Sequence, residues 1–196
     1  SYYSSSRNRW FDFYKSEREV IKKLNFNKNS TVLDIGSACG GLGKVLKKKY
    51  GIKNYTGIEI NRKAYDFAKK NLKEFKFINT DLLNYQNKIK VRSKFDFVFS
   101  LGCVDWNVEL QKMLVKSWKH VKVNGYLIIT LRLTLKKSPK KSFQFINFSK
   151  KKKGEKASYQ VLSFSELKGK LSSFNISNFF YHGYWGRPNK TVVTKY

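Results

Sequence analysis

The chain has 196 residues, long enough for one α/β domain with a proper core and too short for two. Apolar types make up 41% of it, so it folds, and no run approaches the length of a membrane span. Its formal net charge is +28, from 41 Lys and Arg against 13 Asp and Glu.

That charge would attract phosphates, which keeps nucleic acid among the possible partners. Only seven of the 41 basic residues are Arg, at positions 7, 9, 18, 62, 92, 132 and 187, leaving 34 Lys. Arg is the residue that grips phosphate in two-pronged fashion, and the lysines follow no single face, so a solvated surface is the preferred reading. Cys39, Cys103, His120 and His182 make no metal-binding spacing, and no charged-then-apolar leader opens the sequence. A reduced, cytoplasmic protein without a metal is expected.

In chain order, the first nine residues are polar and rich in Tyr and Ser. Residues 10–24 turn helical: Ser16 with Glu19 reads as a capping box, and Val20, Ile21 and Leu24 form an apolar face. From Thr31 an apolar, β-branched run breaks into the small residues Gly36, Ser37, Ala38, Cys39, Gly40 and Gly41, then into a helical pattern carried by Leu42, Val45, Leu46 and Tyr50 and stopped at Gly51. That is a strand, a tight turn and a helix start, whose free N–H groups suit a polar or anionic ligand end. A second strand covers 55–60, a helix 62–73, a third strand 75–79 ending at Thr80 and Asp81, a fourth strand 95–100, a helix 107–121 and a fifth strand 126–133 entered through Asn124 and Gly125. Residues 136–156 are a Lys- and Ser-rich insertion with an aromatic centre, read as a solvated loop or as a lid. Ser163 with Glu166 caps a further helix to about 173, and 176–184 and 191–196 read as two strands of an edge hairpin.

Strands alternating with helices call for a parallel sheet with right-handed crossovers. In such sheets ligands lie beyond the carboxyl ends of the strands, which gathers the glycine turn, Glu59, Asp81 and residues 101–106 into one cleft.

These residues resemble the class I S-adenosylmethionine-dependent methyltransferases, closely over residues 30–133. Asp34-x-Gly36-x-Ala38-x-Gly40 is similar to that family's acidic Gly-x-Gly-x-Gly turn, with Ala38 in place of the middle glycine. The same residues also imitate a nicotinamide fingerprint, Gly36-x-Ala38-x-x-Gly41; Asp34 two residues ahead of Gly36, with Asp81 after the third strand, favours the methyltransferase. The resemblance implies a Rossmann-like, mostly parallel seven-stranded sheet with helices on both faces and a C-terminal antiparallel hairpin. It implies a single methyltransferase domain over 1–196, with a helical cover at 10–29, a cofactor core at 30–133, an insertion or lid at 134–160, and a C-terminal helix and hairpin at 161–196.

The implied cofactor is S-adenosyl-L-methionine, leaving as S-adenosyl-L-homocysteine. Asp34, Gly36, Ser37, Ala38 and Gly40 would lie under its methionine end, and Glu59 with Ile60 at the ribose hydroxyls, where a carboxylate offers two acceptor oxygens. Asp81 with Leu82 would meet the adenine, and Ser100 and Leu101 would line the fourth-strand side. Glu59 and Asp81 taken singly also read as caps.

For the acceptor, Asp105 and Trp106 stand where the family presents groups to the methyl, Asp105 as a general base or as a cap of the next helix. Tyr14, Arg132, Gln144, Asn147, Tyr184 and Arg187 are candidates for holding a polar or anionic acceptor. Trp10 and Phe13 would cover the cofactor, and His182 faces the cleft from the hairpin. His120 reads as structural or exposed. The fourth strand ends in Ser100-Leu101-Gly102-Cys103, without the Asn/Asp-Pro-Pro-aromatic signature of base amino-methyltransferases. The turn also faintly resembles ribosomal-RNA 2′-O-methyltransferases, whose tetrad would need an Asp where Ser100 stands. The leading expectation is methyl transfer to an oxygen or nitrogen of a small polar or anionic metabolite or sugar. An RNA methyltransferase and a non-catalytic interaction module are the alternatives.

Overall fold

The computed structural model describes residues 7–84, 94–138, 142–146 and 155–183. Its centre is a five-stranded parallel sheet of β1 (Thr31–Ile35), β2 (Asn54–Glu59), β3 (Lys76–Asn79), β4 (Phe95–Ser100) and β5 (Val121–Ile129), in the order β3-β2-β1-β4-β5. The order reverses between β1 and β4, which places a crevice beyond their carboxyl ends.

Side-chain alternation along β1 dictates the layers. Leu33 and Ile35 join a core with Val98 of β4, with Leu110, Met113 and Leu114 of helix α4 (Leu110–Lys119), and with Leu167 of α5 (Phe164–Leu171). Val32 faces the other way, with Phe97 and Phe99 of β4, Ile21 of α1 (Lys15–Lys22), and Leu42, Val45 and Leu46 of α2 (Gly41–Tyr50). Helices therefore cover both faces. Helix α3 (Arg62–Asn71) starts on Asn61, whose side chain accepts from the Ala64 N–H at 3.1 Å. Ser163 and Glu166 cap α5 as the sequence predicts.

The main sheet, β5 and α1 differ from expectation. The main sheet has five strands among the described residues rather than seven: residues 176–183 form no strand, and the remainder of the expected hairpin lies outside the described residues. Strand β5 begins at Val121, with Asn124 at φ +60° in a bulge, instead of starting after an Asn-Gly turn. It also ends early, because Ile129 is paired with Ser100, the last residue of β4, and no ladder partner lies beyond. The chain then departs as β6 (Arg132–Thr134), which pairs in parallel with β9 (Val161–Ser163). Finally, α1 is organised by Glu17 and not by Ser16 and Glu19: the Glu17 carboxylate accepts from the Tyr14 N–H at 2.9 Å, so the helix starts two residues earlier. The insertion carries a strand pair, β7 (Ser142–Ile146) antiparallel to β8 (Glu155–Tyr159).

Candidate active site

The turn after β1 is a backbone device. Gly36 and Gly40 have φ of +76° and +80°, and Ala38 also lies in the left-handed region at +47°. Space forbids side chains here as well: a Cβ on Gly36 would lie 2.6 Å from the Cys103 Sγ. Glu59, buried at the end of β2, ties the turn down. One carboxylate oxygen accepts from the Ala38 N–H at 2.8 Å and the other from the Asn61 N–H at 2.7 Å. Beneath the turn, Asp34 is buried and accepts from the Tyr55 hydroxyl at 2.5 Å. The Ser37 Oγ is buried with no hydrogen-bond partner among the described residues.

Burial pushes the Asp34 carboxyl up to about 7, against the Tyr55 hydrogen bond and the positive charge of Arg7. The folded protein therefore holds a proton that the unfolded chain releases near the ordinary value of 3.8. The stability this contributes is present in full below that value and is lost as pH rises through about 7. Melting curves of wild type and Asp34→Asn should show the gap between them shifting against the wild type as pH climbs over this window; parallel curves would contradict the assignment.

On the other wall, the loop after β4 folds into a short 3-10 turn, Val104–Trp106, that buries Asp105 to 1% exposure. Asp105 forms an ion pair with Arg132 of β6 through one oxygen, while its Oδ1 is buried with no partner among the described residues. Burial pushes the Asp105 carboxyl up, and the guanidinium of Arg132 opposes it. The guanidinium carbon lies 4.6 Å from the Trp106 ring centre and 4.8 Å from that of Tyr159 in β8. The Gln160 N–H donates to the Asp105 carbonyl at 2.6 Å, fastening the insertion to this wall.

One cleft is lined by Tyr14, Asp34, Gly36, Ser37, Ala38, Leu101, Asp105, Trp106 and Arg132. Of the other expected residues, Gly40 and Ser100 are buried under it, Glu59 braces it from below, and Ile60 stands exposed at its side. Asp81 caps its own turn, accepting from the Leu83 N–H and the Asn84 side chain at 2.9 Å each, and Leu82 is part of the core. Phe13 is buried in the core beside α1, and His120 is buried with its carbonyl accepting from the Phe95 N–H. No side-chain geometry is described for Gln144, and Asn147, Tyr184 and Arg187 lie outside the described residues.

The sequence reading missed Tyr55, Tyr159, Arg7, Glu17 and Thr130. Arg7 donates to Glu17 at 2.8 Å and to the Leu101 carbonyl at 3.3 Å, and the Thr130 hydroxyl donates to Glu17 at 3.1 Å. A lone carboxylate, Asp34, inside a strand buried on both faces is the signal for a hydroxyl partner. Nothing local pointed to the Arg7 network.

A family model described as a methyltransferase domain matches residues 26–174. The chain belongs to the class I S-adenosylmethionine-dependent methyltransferases. Among curated relatives of this methyltransferase domain, the phosphoethanolamine N-methyltransferase 2 of Caenorhabditis elegans is 28% identical over 124 residues, covering 60% of this chain and 28% of that protein. The ribosomal RNA small subunit methyltransferase G of Ureaplasma parvum is 32% identical over 123 residues, covering 60% of this chain and 56% of that protein. The chain thus spans little more than half the length of these relatives, or less. A glycopeptide N-methyltransferase solved with S-adenosylmethionine shares the fold, with a TM-score of 0.59 at 13% identity over 80% of this chain and 79% of that one. The cofactor of this methyltransferase is S-adenosylmethionine.

The residues present fit that cofactor. A turn from which side chains are excluded leaves room for a ligand against the main chain, and each oxygen of Glu59 spends one lone pair on the backbone and keeps another for a hydroxyl.

Proposed function

We propose that the domain transfers the methyl group of S-adenosylmethionine to an oxygen or nitrogen of a small polar or anionic metabolite or sugar. The reading rests on one observation: the wall facing the glycine turn carries a buried carboxylate, Asp105, one oxygen of which has no hydrogen-bond partner among the described residues, held by an arginine that lies against two aromatic rings. A buried acceptor atom of this kind costs free energy unless a ligand satisfies it, and an N–H or O–H of an acceptor is the matching group.

The cofactor supplies an activated methyl on sulfur. The chain supplies the rest. The glycine turn and Glu59 would hold the cofactor, with Asp81 at the adenine. Asp105 would take the hydrogen bond of the attacking N–H or O–H and, as the bond forms, its proton; burial raises its basicity for that task. Arg132 has 30% of its side chain exposed, and its guanidinium edges away from Asp105 would receive a carboxylate or phosphate of the acceptor. The insertion, through Tyr159 and Gln160, would close the acceptor side and exclude water. Tyr14, half exposed, would cover the opening from the amino-terminal side.

The Caenorhabditis relative, named for a small phosphorylated amine, supports this reading, whereas the Ureaplasma relative and the net charge support a second, transfer to RNA. Incubating the protein with a cell extract and labelled S-adenosylmethionine, then separating small molecules from RNA, tests the choice. Label in the small-molecule fraction, unchanged by prior nuclease treatment, is the expected result. Label confined to RNA would overturn it.

A further inference from the structure

Along the sequence the lysines follow no single face, yet the fold gathers a set of them. In a parallel sheet all strands start at one end, and the helices that return the chain finish there. Hydrogen bonds join this end into one surface. The Thr31 N–H and hydroxyl, at the start of β1, both donate to Asp96 of β4 at 2.7 Å, and Lys122 of β5 reaches the same carboxylate at 3.0 Å. The Asn54 amide of β2 donates to the Asn29 carbonyl at 3.2 Å, and Lys47 of α2 reaches Glu74, ahead of β3, at 2.7 Å. The crevice lies at the opposite end of the strands, about 20 Å away along a six-residue strand such as β2.

Helix α2 ends in Lys47, Lys48 and Lys49 and α3 in Lys69 and Lys70, where cations complement the helix dipole. The dipole does not account for the rest. Lys28, Lys53, Lys73, Lys76 and Lys94 stand outside helices, are exposed, and make no ion pair among the described residues. At the strand starts the described carboxylates are Glu74 and Asp96, and each already holds a lysine. Asp34, Glu59, Asp81 and Asp105 stand toward the other end. The two ends of the domain therefore differ in sign: the carboxylates collect at the crevice, and the strand starts keep uncompensated positive charge. The exposed side chains of Asn25, Asn27 and Asn29 lie in the same loop as Lys28 and add polar groups among the cations.

We infer that the surface at the strand starts docks the phosphodiester backbone of a nucleic-acid strand and leaves the crevice free. Five strand starts set about 4.8 Å apart spread the lysines over a row, which fits a polymer of phosphates better than one small anion. Lysine meets each phosphate as a point charge and reads no sequence, so the contact positions the protein on its partner. A lipid surface would call for apolar groups that insert, and among the described residues Val123 is the one large apolar side chain exposed at the strand starts. The docking is separate from the choice of methyl acceptor, because it occupies neither the glycine turn nor the Asp105 wall.

Fluorescence anisotropy with a labelled 20-nucleotide single-stranded RNA, and with DNA of the same sequence, tests it across a salt series. The triple variant Lys28→Glu, Lys53→Glu, Lys73→Glu should weaken binding at least tenfold at 100 mM salt and reduce the salt slope by about 2, with Gln at the same three positions giving a smaller loss in the same direction. S-adenosylhomocysteine affinity of the triple should stay within about twofold, which also reports that the variant is folded. A control with the same charge change in the first turns of α1 to α3, Lys15→Glu, Lys44→Glu, Lys63→Glu, should lose less than threefold. Equal losses from the two triples would mean a diffuse charge effect and overturn the inference. Absence of binding to both nucleic acids at 100 mM salt would overturn it as well. So would displacement of the RNA by saturating S-adenosylhomocysteine, which would put the strand in the crevice, or tighter binding to vesicles of phosphatidylcholine with phosphatidylserine than to either nucleic acid, which would make the surface a membrane contact.

Discussion

Replacing Glu59 by Gln should abolish measurable binding of S-adenosylhomocysteine, a loss of about a hundredfold or more, and lower the melting temperature. Each carboxylate oxygen accepts a backbone N–H, from Ala38 at 2.8 Å and Asn61 at 2.7 Å. An amide keeps one acceptor and turns a donor toward the other N–H, so one backbone donor loses its partner in a buried setting. Hydrogen bonds to charged groups contribute about 1.5–3 kcal/mol each, and an orphaned buried donor costs about 1–3 kcal/mol. The turn at residues 36–41 and the start of α3 hang on the same side chain, so the damage reaches both the site and the fold. Circular dichroism melting together with calorimetry checks this; a variant with wild-type affinity would show that Glu59 is a structural cap alone.

The second large effect is at Asp105. Asp105→Asn keeps size and hydrogen-bonding reach but removes the charge and the basicity, so turnover should fall by about 10²–10⁴ while affinity for S-adenosylhomocysteine stays within a few-fold. Asp105→Ala should in addition destabilise the protein. Breaking a fully buried pair costs about 3–5 kcal/mol; Arg132 is partly exposed and can turn to water, so about 1–3 kcal/mol is the expected cost. Steady-state kinetics on the acceptor found by labelling, with parallel cofactor titration, separates the two roles. A drop in cofactor affinity equal to the drop in turnover would place Asp105 in the cofactor site.

The parts of this fold that were legible in the sequence are those set by local pattern. Strand β4 coincides with its expected span because six residues of Phe, Asp, Val and Ser lie between a polar run and the Leu101-Gly102 break. The strand, turn and helix over residues 31–50 announce themselves by the change from β-branched to small to helical spacing. What was illegible depends on partners distant in the chain. Arg132 leaves the β5 line because β4 runs out of pairing at Ser100 and β9 offers a new ladder some thirty residues on, a competition no local pattern encodes. Glu17 has no local signal, and it is buried with partners Arg7 and Thr130, ten and 113 positions away. Asp105 reads from the sequence as base or cap; the structure buries it in a 3-10 turn ahead of α4 and pairs it with Arg132, a partner 27 positions away that no local pattern announces.

The central claim is that the crevice between β1 and β4 seats S-adenosylmethionine with its methyl toward Asp105. A crystal structure with S-adenosylhomocysteine tests it most directly. Such crystals should show the ribose hydroxyls on Glu59, the homocysteine over residues 36–38, and the sulfur facing the wall of Asp105, Trp106 and Arg132. Density for the ligand elsewhere, or with its ribose away from Glu59, would contradict it.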